Sequence, residues 1–247
     1  MARASALTRT ARLVDGVTIV VVNWNTKEVT SDVVRAVRQL SPADVRILVV
    51  DNGSTDGSRE LFHAWPGVEA LLLRRNAGHG VALDLAMCAV RTKIAVTLDS
   101  DAIPLAEGWL EPAVSRVRSG DVLLCGLRAR RDFVHPVYSA VDTATFLRRR
   151  LSFQTYVPLD VTPETVVWGE NAWDTAELMT GRLDPSEVGF VERTANLVDG
   201  LPGMSTGDVV YHHGGVSRAA NGTVDPAALV AWRVAIRRLT EAAASTG

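Results

Sequence analysis

Short apolar runs rich in β-branched residues mark the first half of the chain. VTIVVV (17–22) and RILVV (46–50) are uninterrupted, the pattern of strands buried on both faces. KIAVTLD (93–99) is of the same kind, and a further strand is predicted at Glu69 to Leu73. Between these runs the apolar positions recur at helical spacing. Val33, Val34, Val37 and Leu40 predict a helix capped by Thr30 or Ser31 and closed before Pro42. A shorter helix is predicted from Arg59 to Trp65, and GHGVALDLAMCAVR (78–91) reads as a glycine turn opening a third. Strands alternating with helices mean βαβ units and a parallel sheet. Right-handed crossovers then gather the strand-to-helix loops on one edge, where ligands bind in open parallel sheets.

The rhythm breaks after Arg128. Residues 129–168 read as irregular, with arginines at 148–150 and prolines at 136, 158 and 163. Beyond them we expect a helix from Glu170 to Arg182, a strand at DVVYHH (208–213) and an amphipathic helix from Pro226 to Ala244. The pattern predicts a single domain over 1–247, with a regular half at 17–128 and an irregular half at 129–247.

Polar residues follow each of the first four strands: Asn23-Trp24-Asn25, Asp51-Asn52-Gly53, Arg74-Arg75-Asn76-Ala77-Gly78, and Asp99-Ser100-Asp101. Singly, each is an ordinary turn or helix cap. On one edge of one sheet they suggest a site. Two carboxylates two residues apart at a buried strand end suit a hard divalent cation, Mn²⁺ or Mg²⁺, that bridges to substrate phosphates. Asp51 can accept from a base or ribose.

Composition narrows the classes. With 47% apolar and 22% charged residues the chain is neither disordered nor fibrous. A net charge of -2 gives no reason to bind nucleic acid or an anionic membrane. Basic residues are almost all arginine; those at 128–131 and 148–150 read as a solvated face, with an anionic acceptor or membrane as the other use. Cys88 and Cys125 form no metal-type pair and are expected to be buried small hydrophobes. No apolar stretch marks a secretory signal or a membrane span, so a soluble cytoplasmic protein is expected.

VTIVVVNWN, VVDNGSTDGS, RRNAGHGVALDLAM and VTLDSDAIPLAEGWL, in this order, resemble the family 2 nucleotide-sugar glycosyltransferases of GT-A fold. VDNGSTD is closest to the rhamnosyltransferase-like branch, and VVYHHGGVS (209–217) resembles the family's closing histidine-glycine motif. The resemblance implies an α/β fold of GT-A type, with a Rossmann-like, mostly parallel sheet and an irregular acceptor-binding half. It implies a UDP- or dTDP-sugar donor, a hydroxyl acceptor such as a small metabolite, natural product or glycan precursor, and inversion at the anomeric carbon. Asn23, Trp24, Asn25 and Asp51 would border the nucleotide. Asn76, Gly78 and His79 would line the nucleotide and sugar, with Asp99 and Ser100 beside them. Asp101 and His212 would hold the metal, His213 being a weaker choice.

Inversion needs a carboxylate to take the acceptor's proton. The family's adjacent acidic pair is absent here. Asp174, beside Trp173, aligns best, followed by Glu170 and Glu177; each also reads as an acid at a helix N-terminus. Three other readings compete. A dinucleotide fold lacks G-x-G-x-x-G after the first strand. Gly203-Met204-Ser205-Thr206-Gly207 matches a hydrolase pattern but is preceded by Pro202 rather than a strand. An inactive nucleotide-binding scaffold is the third. The tail helix, with Leu229, Trp232 and Ile236, suits the core better than a membrane surface. Oligomeric state is not legible.

Overall fold

The computed structural model describes residues 13–156, 172–196, 200–216, 219 and 227–245. The chain opens with β1 (Val14–Asn23), α1 (Lys27–Leu40), β2 (Arg46–Asp51), α2 (Ser58–Ala64), β3 (Val68–Leu72), α3 (His79–Ala89) and β4 (Thr92–Asp99). The four strands lie parallel in the order β3-β2-β1-β4. From Val17 to Asn23 every β1 residue is buried, as a strand covered on both faces requires.

Helix α1 starts earlier than the cap residues suggested. Thr30 and Ser31 lie inside its first turns, and its leading N–H is taken by Asp56 Oδ2, which accepts from Lys27 N at 2.9 Å. A carboxylate from the following loop thus caps the helix end.

After β5 (Ala102–Pro104) and α4 (Glu111–Arg118) come β6 (Leu124–Arg128), β7 (Val134–Asp142) and α5 (Thr143–Arg149). Part of the stretch expected to be irregular is therefore ordered. Strand β7 runs antiparallel between β4 and β6 in the middle of the sheet, its Ser139 hydroxyl 2.7 Å from that of Thr97. Pro136 interrupts the strand pattern because it sits where the β6–β7 register shifts and pairs with no β6 residue. Asp142 caps α5 by accepting from Thr145 N at 2.7 Å.

Helix α6 (Glu177–Gly181) is shorter than the predicted 170–182; Ala176, in the left-handed region at φ 69°, precedes it. Glu170 lies outside the described residues. A 3-10 turn (Pro185–Glu187) leads to β8 (Val188–Val191), which pairs parallel with β6 and completes the order β3-β2-β1-β4-β7-β6-β8. The sheet is mixed but mostly parallel. Strands β9 (Arg193–Thr194), β10 (Met204–Thr206) and β11 (Val210–His212) join β5 in a small antiparallel sheet, β5-β11-β10-β9. This sheet ties the residues after Asp101 to the histidine segment. Ser205 lies within β10, fully buried and donating to Asn196 Oδ1 at 2.9 Å, which is no hydrolase elbow.

The final helix, α7 (Ala227–Ser245), turns Trp232 and Ala235 into the core. Trp232 Nε1 donates to Asp32 Oδ2 of α1 at 3.2 Å. The Trp232 and Ala235 face is thus packed inward while Val230 and Val234 stay exposed, and among the described residues no helix is long and apolar enough to cross a membrane. The cluster arginines pair on the surface: Arg128 with Asp132 and Glu192, Arg131 with Glu177, Arg149 with Glu187. Cys125 is buried, but Cys88 is exposed, because α3 presents Ala82, Leu83, Ala86 and Met87 to the core and Cys88 falls outside that face.

Candidate active site at the carboxyl ends of the strands

Asn23 ends β1 with no exposed surface. Its amide donates to Asp51 Oδ2 and to Ser54 Oγ, both at 3.0 Å, and its oxygen accepts from Thr26 at 2.9 Å and Thr30 at 2.8 Å. All four hydrogen-bonding positions of the side chain are filled by the protein. Asp51, equally buried, also accepts from Ser54 N at 3.1 Å and faces Arg59 at 3.3 Å. Asn25, in the left-handed region at φ 51°, accepts from Thr55 N at 2.8 Å. Trp24 is 38% exposed beside it.

The loop after β3 is drawn onto the loop after β2. Asn52 donates to Asn76 Oδ1 at 3.0 Å and accepts from Ala77 N at 2.9 Å. Asn76 in turn accepts from Gly78 N at 2.8 Å. A Cβ on Gly53 would stand 2.4 Å from the Arg75 carbonyl carbon, so only glycine permits this approach. Asn76 and Gly78 stay exposed at the mouth, and His79 begins α3 directly behind them.

Here β4 delivers Asp99, and the chain continues through Ser100 to Asp101, both of the latter buried. His79 Nε2 lies 3.4 Å from Asp99 Oδ1, and His212 Nε2 lies 3.3 Å from Asp101 Oδ1. Val216 N donates to Asp101 Oδ2 at 3.2 Å, and His213 N to the Asp101 carbonyl at 3.1 Å. Single ligand atoms of Asp99, Asp101 and His212 fall within 4.8 Å of one another. In this cluster Asp99 Oδ1 has His79 Nε2 as its neighbour at 3.4 Å, and His212 Nδ1 is buried without a hydrogen-bond partner. A buried polar atom without a partner calls for an explanation, and two carboxylates with an imidazole form a donor set for a divalent cation. The residues present fit such an ion. His213 serves packing instead: its Nδ1 is 2.9 Å from the Tyr211 hydroxyl, and its ring meets Trp232 edge-on.

Across from this cluster stands a histidine that the sequence reading missed. His135, on β7, accepts from Val137 N at Nδ1 (3.1 Å), and its Nε2 lies 4.0 Å from Asp174 Oδ2. Asp174 Oδ1 takes Thr175 N at 2.7 Å, and Asp174 N donates to Glu177 Oε2 at 2.7 Å. Glu177 itself is held by Arg131 through two bonds of 2.7 and 2.6 Å. Trp173 is 44% exposed next to Asp174.

Opposed charges tune these groups. Burial works to raise the Asp99 carboxyl, yet His79, with His135 and His212 behind it, holds it well below the usual carboxylate range. Burial works to lower His79, but Asp99, then Asp101 and Asp174, raise it. His212 is raised against burial by Asp101 and Asp99. In His135 burial prevails over Asp99 and Asp174, and its pKa falls. Glu177 is lowered by its Arg131 bonds against burial. The arrangement brings together a donor set that could hold a cation and, past His135, the partly exposed Asp174 carboxylate.

The sequence model of glycosyl transferase family 2 matches residues 18–173. The chain belongs to glycosyl transferase family 2. The family member's fold is GT-A, and the structure of S. aureus TarS 1–349 is similar to it: 13% identity, 83% of this chain and 62% of that chain, TM-score 0.53. A mannosyltransferase, PcManGT from Pyrobaculum calidifontis, solved with GDP-Man and Mn²⁺, aligns at 22% identity over 64% of this chain and 54% of its own, with TM-score 0.47. The chain thus spans less than two thirds of either solved relative, 62% and 54%. No curated protein sequence matches it.

Proposed function

We propose that this family 2 member is a metal-dependent, inverting glycosyltransferase that moves a sugar from a UDP- or dTDP-sugar to a hydroxyl acceptor. The observation that carries the reading is the convergence of Asp99, Asp101 and His212, one ligand atom of each lying within 4.8 Å of the others at the carboxyl end of β4. Asp101 and His212, with Asp99, would hold Mn²⁺ or Mg²⁺, which offsets charge developing on a departing diphosphate when bound.

The chain's own residues have separate tasks in this reading. Asp51, fixed by Asn23, Ser54 and Arg59, forms the floor under the base, and Asn23 positions it rather than touching the donor. Trp24 and Asn25 border the nucleotide. Asn76, Gly78 and His79 line the mouth, and Ser100 keeps the two aspartates in register. Residues 17–128 form the donor half of one catalytic unit, and residues 129–247 the acceptor half. A cytoplasmic setting agrees with two cysteines left unbridged.

Asp174 takes the acceptor's proton at Oδ2, since Oδ1 is occupied by Thr175 N. As the acceptor oxygen bonds to the anomeric carbon, the bond from that carbon to the diphosphate breaks, and the proton passes to Asp174. His135 positions the carboxylate: with Nδ1 accepting from Val137, its neutral ring carries the proton on Nε2, the nitrogen facing Asp174. Glu177 is engaged by Arg131 and orients the Asp174 backbone, which favours Asp174 over Glu177 as the base; Glu170, the other candidate, lies outside the described residues.

Asp174→Asn tests this. Transfer to any acceptor falls by about 10²–10⁴, while UDP or dTDP still binds with wild-type affinity in calorimetry. Retention of most transfer activity would remove Asp174 from the role.

A further inference from the structure

A hollow of about 350 Å³ opens beside Asp174, between α6, the 3-10 turn and β8. Its surface is made by Phe133, Trp173, Leu183, Val188 and Phe190. The volume lies within the range of small-molecule pockets, and such pockets are mostly apolar with a few polar groups to orient the ligand.

Here the polar side chains on the wall are already engaged with the protein. Arg131 and Glu177 bind each other in a fork of 2.7 and 2.6 Å. Asp132 receives Arg128 at 3.1 Å. The Thr180 hydroxyl donates to Ala176 O at 3.0 Å and accepts from Val134 N at 3.3 Å. A sugar's hydroxyls would have to compete there with pairs already made within the protein. An anion would meet an arginine neutralised by its carboxylate. Aromatic and aliphatic carbon is what the hollow offers. Phe190 is held flat by the Arg128 guanidinium, 3.9 Å from its ring centre.

The hollow adjoins the Asp174 segment: Glu177 on its wall accepts from Asp174 N at 2.7 Å. Trp173 directly precedes Asp174. Phe133 lies 5.8 Å from the His135 ring, and His135 Nε2 lies 4.0 Å from Asp174 Oδ2. We propose that this hollow takes the uncharged, apolar body of the acceptor, an aromatic alcohol whose hydroxyl reaches Asp174, and so selects it over a sugar acceptor. The proposal rests on Asp174 being the base, and it adds the acceptor's chemical class.

Calorimetric titration of the whole chain with 2-naphthol and, separately, methyl α-D-glucopyranoside tests it, each with and without UDP and Mn²⁺. The expected result is binding of 2-naphthol and none of the glucoside. Phe190→Ala weakens 2-naphthol by roughly tenfold, equivalent to about 1.4 kcal/mol, with UDP affinity unchanged. Should Phe190→Ala fail to fold, Val188→Lys, on the end strand β8, introduces an ammonium into the same hollow and gives the same loss. Binding of the glucoside that is sensitive to Phe190→Ala would overturn the proposal. So would 2-naphthol affinity indifferent to both variants. The UDP titration reads the donor site separately: its failure would sink the transferase reading while leaving the 2-naphthol result to judge the hollow.

Discussion

Asn23→Ala separates a residue that builds the site from one that touches the donor. In the native chain the Asn23 amide is the sole hydrogen-bond donor seen at Asp51 Oδ2 among the described residues. Truncation leaves that buried carboxylate oxygen unpaired, at about 1.5–3 kcal/mol for a bond to a charged group. The loss elsewhere is smaller. Thr26 and Thr30 keep each other at 3.1 Å, and Ser54 keeps Asn25 N at 3.0 Å. A total of about 3 kcal/mol follows. For a chain of 247 residues the melting entropy is about 0.5 kcal/mol/K, so Tm should fall by roughly 6 °C. Differential scanning calorimetry reads this directly, and UDP affinity should fall with it as Asp51 loses its fixed orientation. A Tm within about 1 °C of wild type, with UDP affinity nonetheless lost, would refute the reasoning and make Asn23 a direct donor contact.

Other consequences follow from the same geometry. Glu177→Gln should flatten the acid side of the stability profile. The Glu177 pKa is lowered from 4.5 in the folded chain, so its contribution is present above that value and lost as pH falls through the lower folded one. Urea unfolding at about pH 6 and about pH 4 would show the difference, and an unchanged slope would count against the Arg131 pair. Gly53→Ala, at φ +78° with its Cβ 2.4 Å from Arg75 backbone, should cost about 2–4 kcal/mol, as should Gly203→Ala at φ +88°, 2.3 Å from His212 O. Chemical denaturation checks both. His135→Gln should lower kcat and alter its pH profile with donor KM unchanged, whereas a merely structural role would move Tm alone.

The strands and helices of the first βαβ units were legible because a doubly covered parallel sheet writes itself as apolar runs between helical spacings. Their bounds shifted where capping came from elsewhere, as with Asp56 at the start of α1. Strand β7 was hidden by Pro136, which is harmless only because it sits at a register shift. With β7 hidden, His135 carried no signal: a histidine before a proline means nothing until β7 is known to lie beside β4. The Asp99–Asp101 pair and His212 were readable as motifs, and the structure brings them within ligand distance through the β5–β11 pairing. Asn23 looked like a ligand-facing residue at a strand end. That its partners close over it depends on Asp51 and Ser54, 28 and 31 residues away. No local pattern records such a closure. Glu177 was likewise a third choice for the base until its pairing with Arg131, 46 residues distant, was seen.

The transferase reading turns on a divalent cation held by Asp99, Asp101 and His212. Isothermal titration of UDP and dTDP into the wild-type chain and into His212→Ala, each with Mn²⁺ and with EDTA, tests it most directly. Nucleotide binding by the wild type should require Mn²⁺, and His212→Ala should lose the Mn²⁺-dependent gain. Equal affinity with Mn²⁺ and with EDTA, in both proteins, would contradict it.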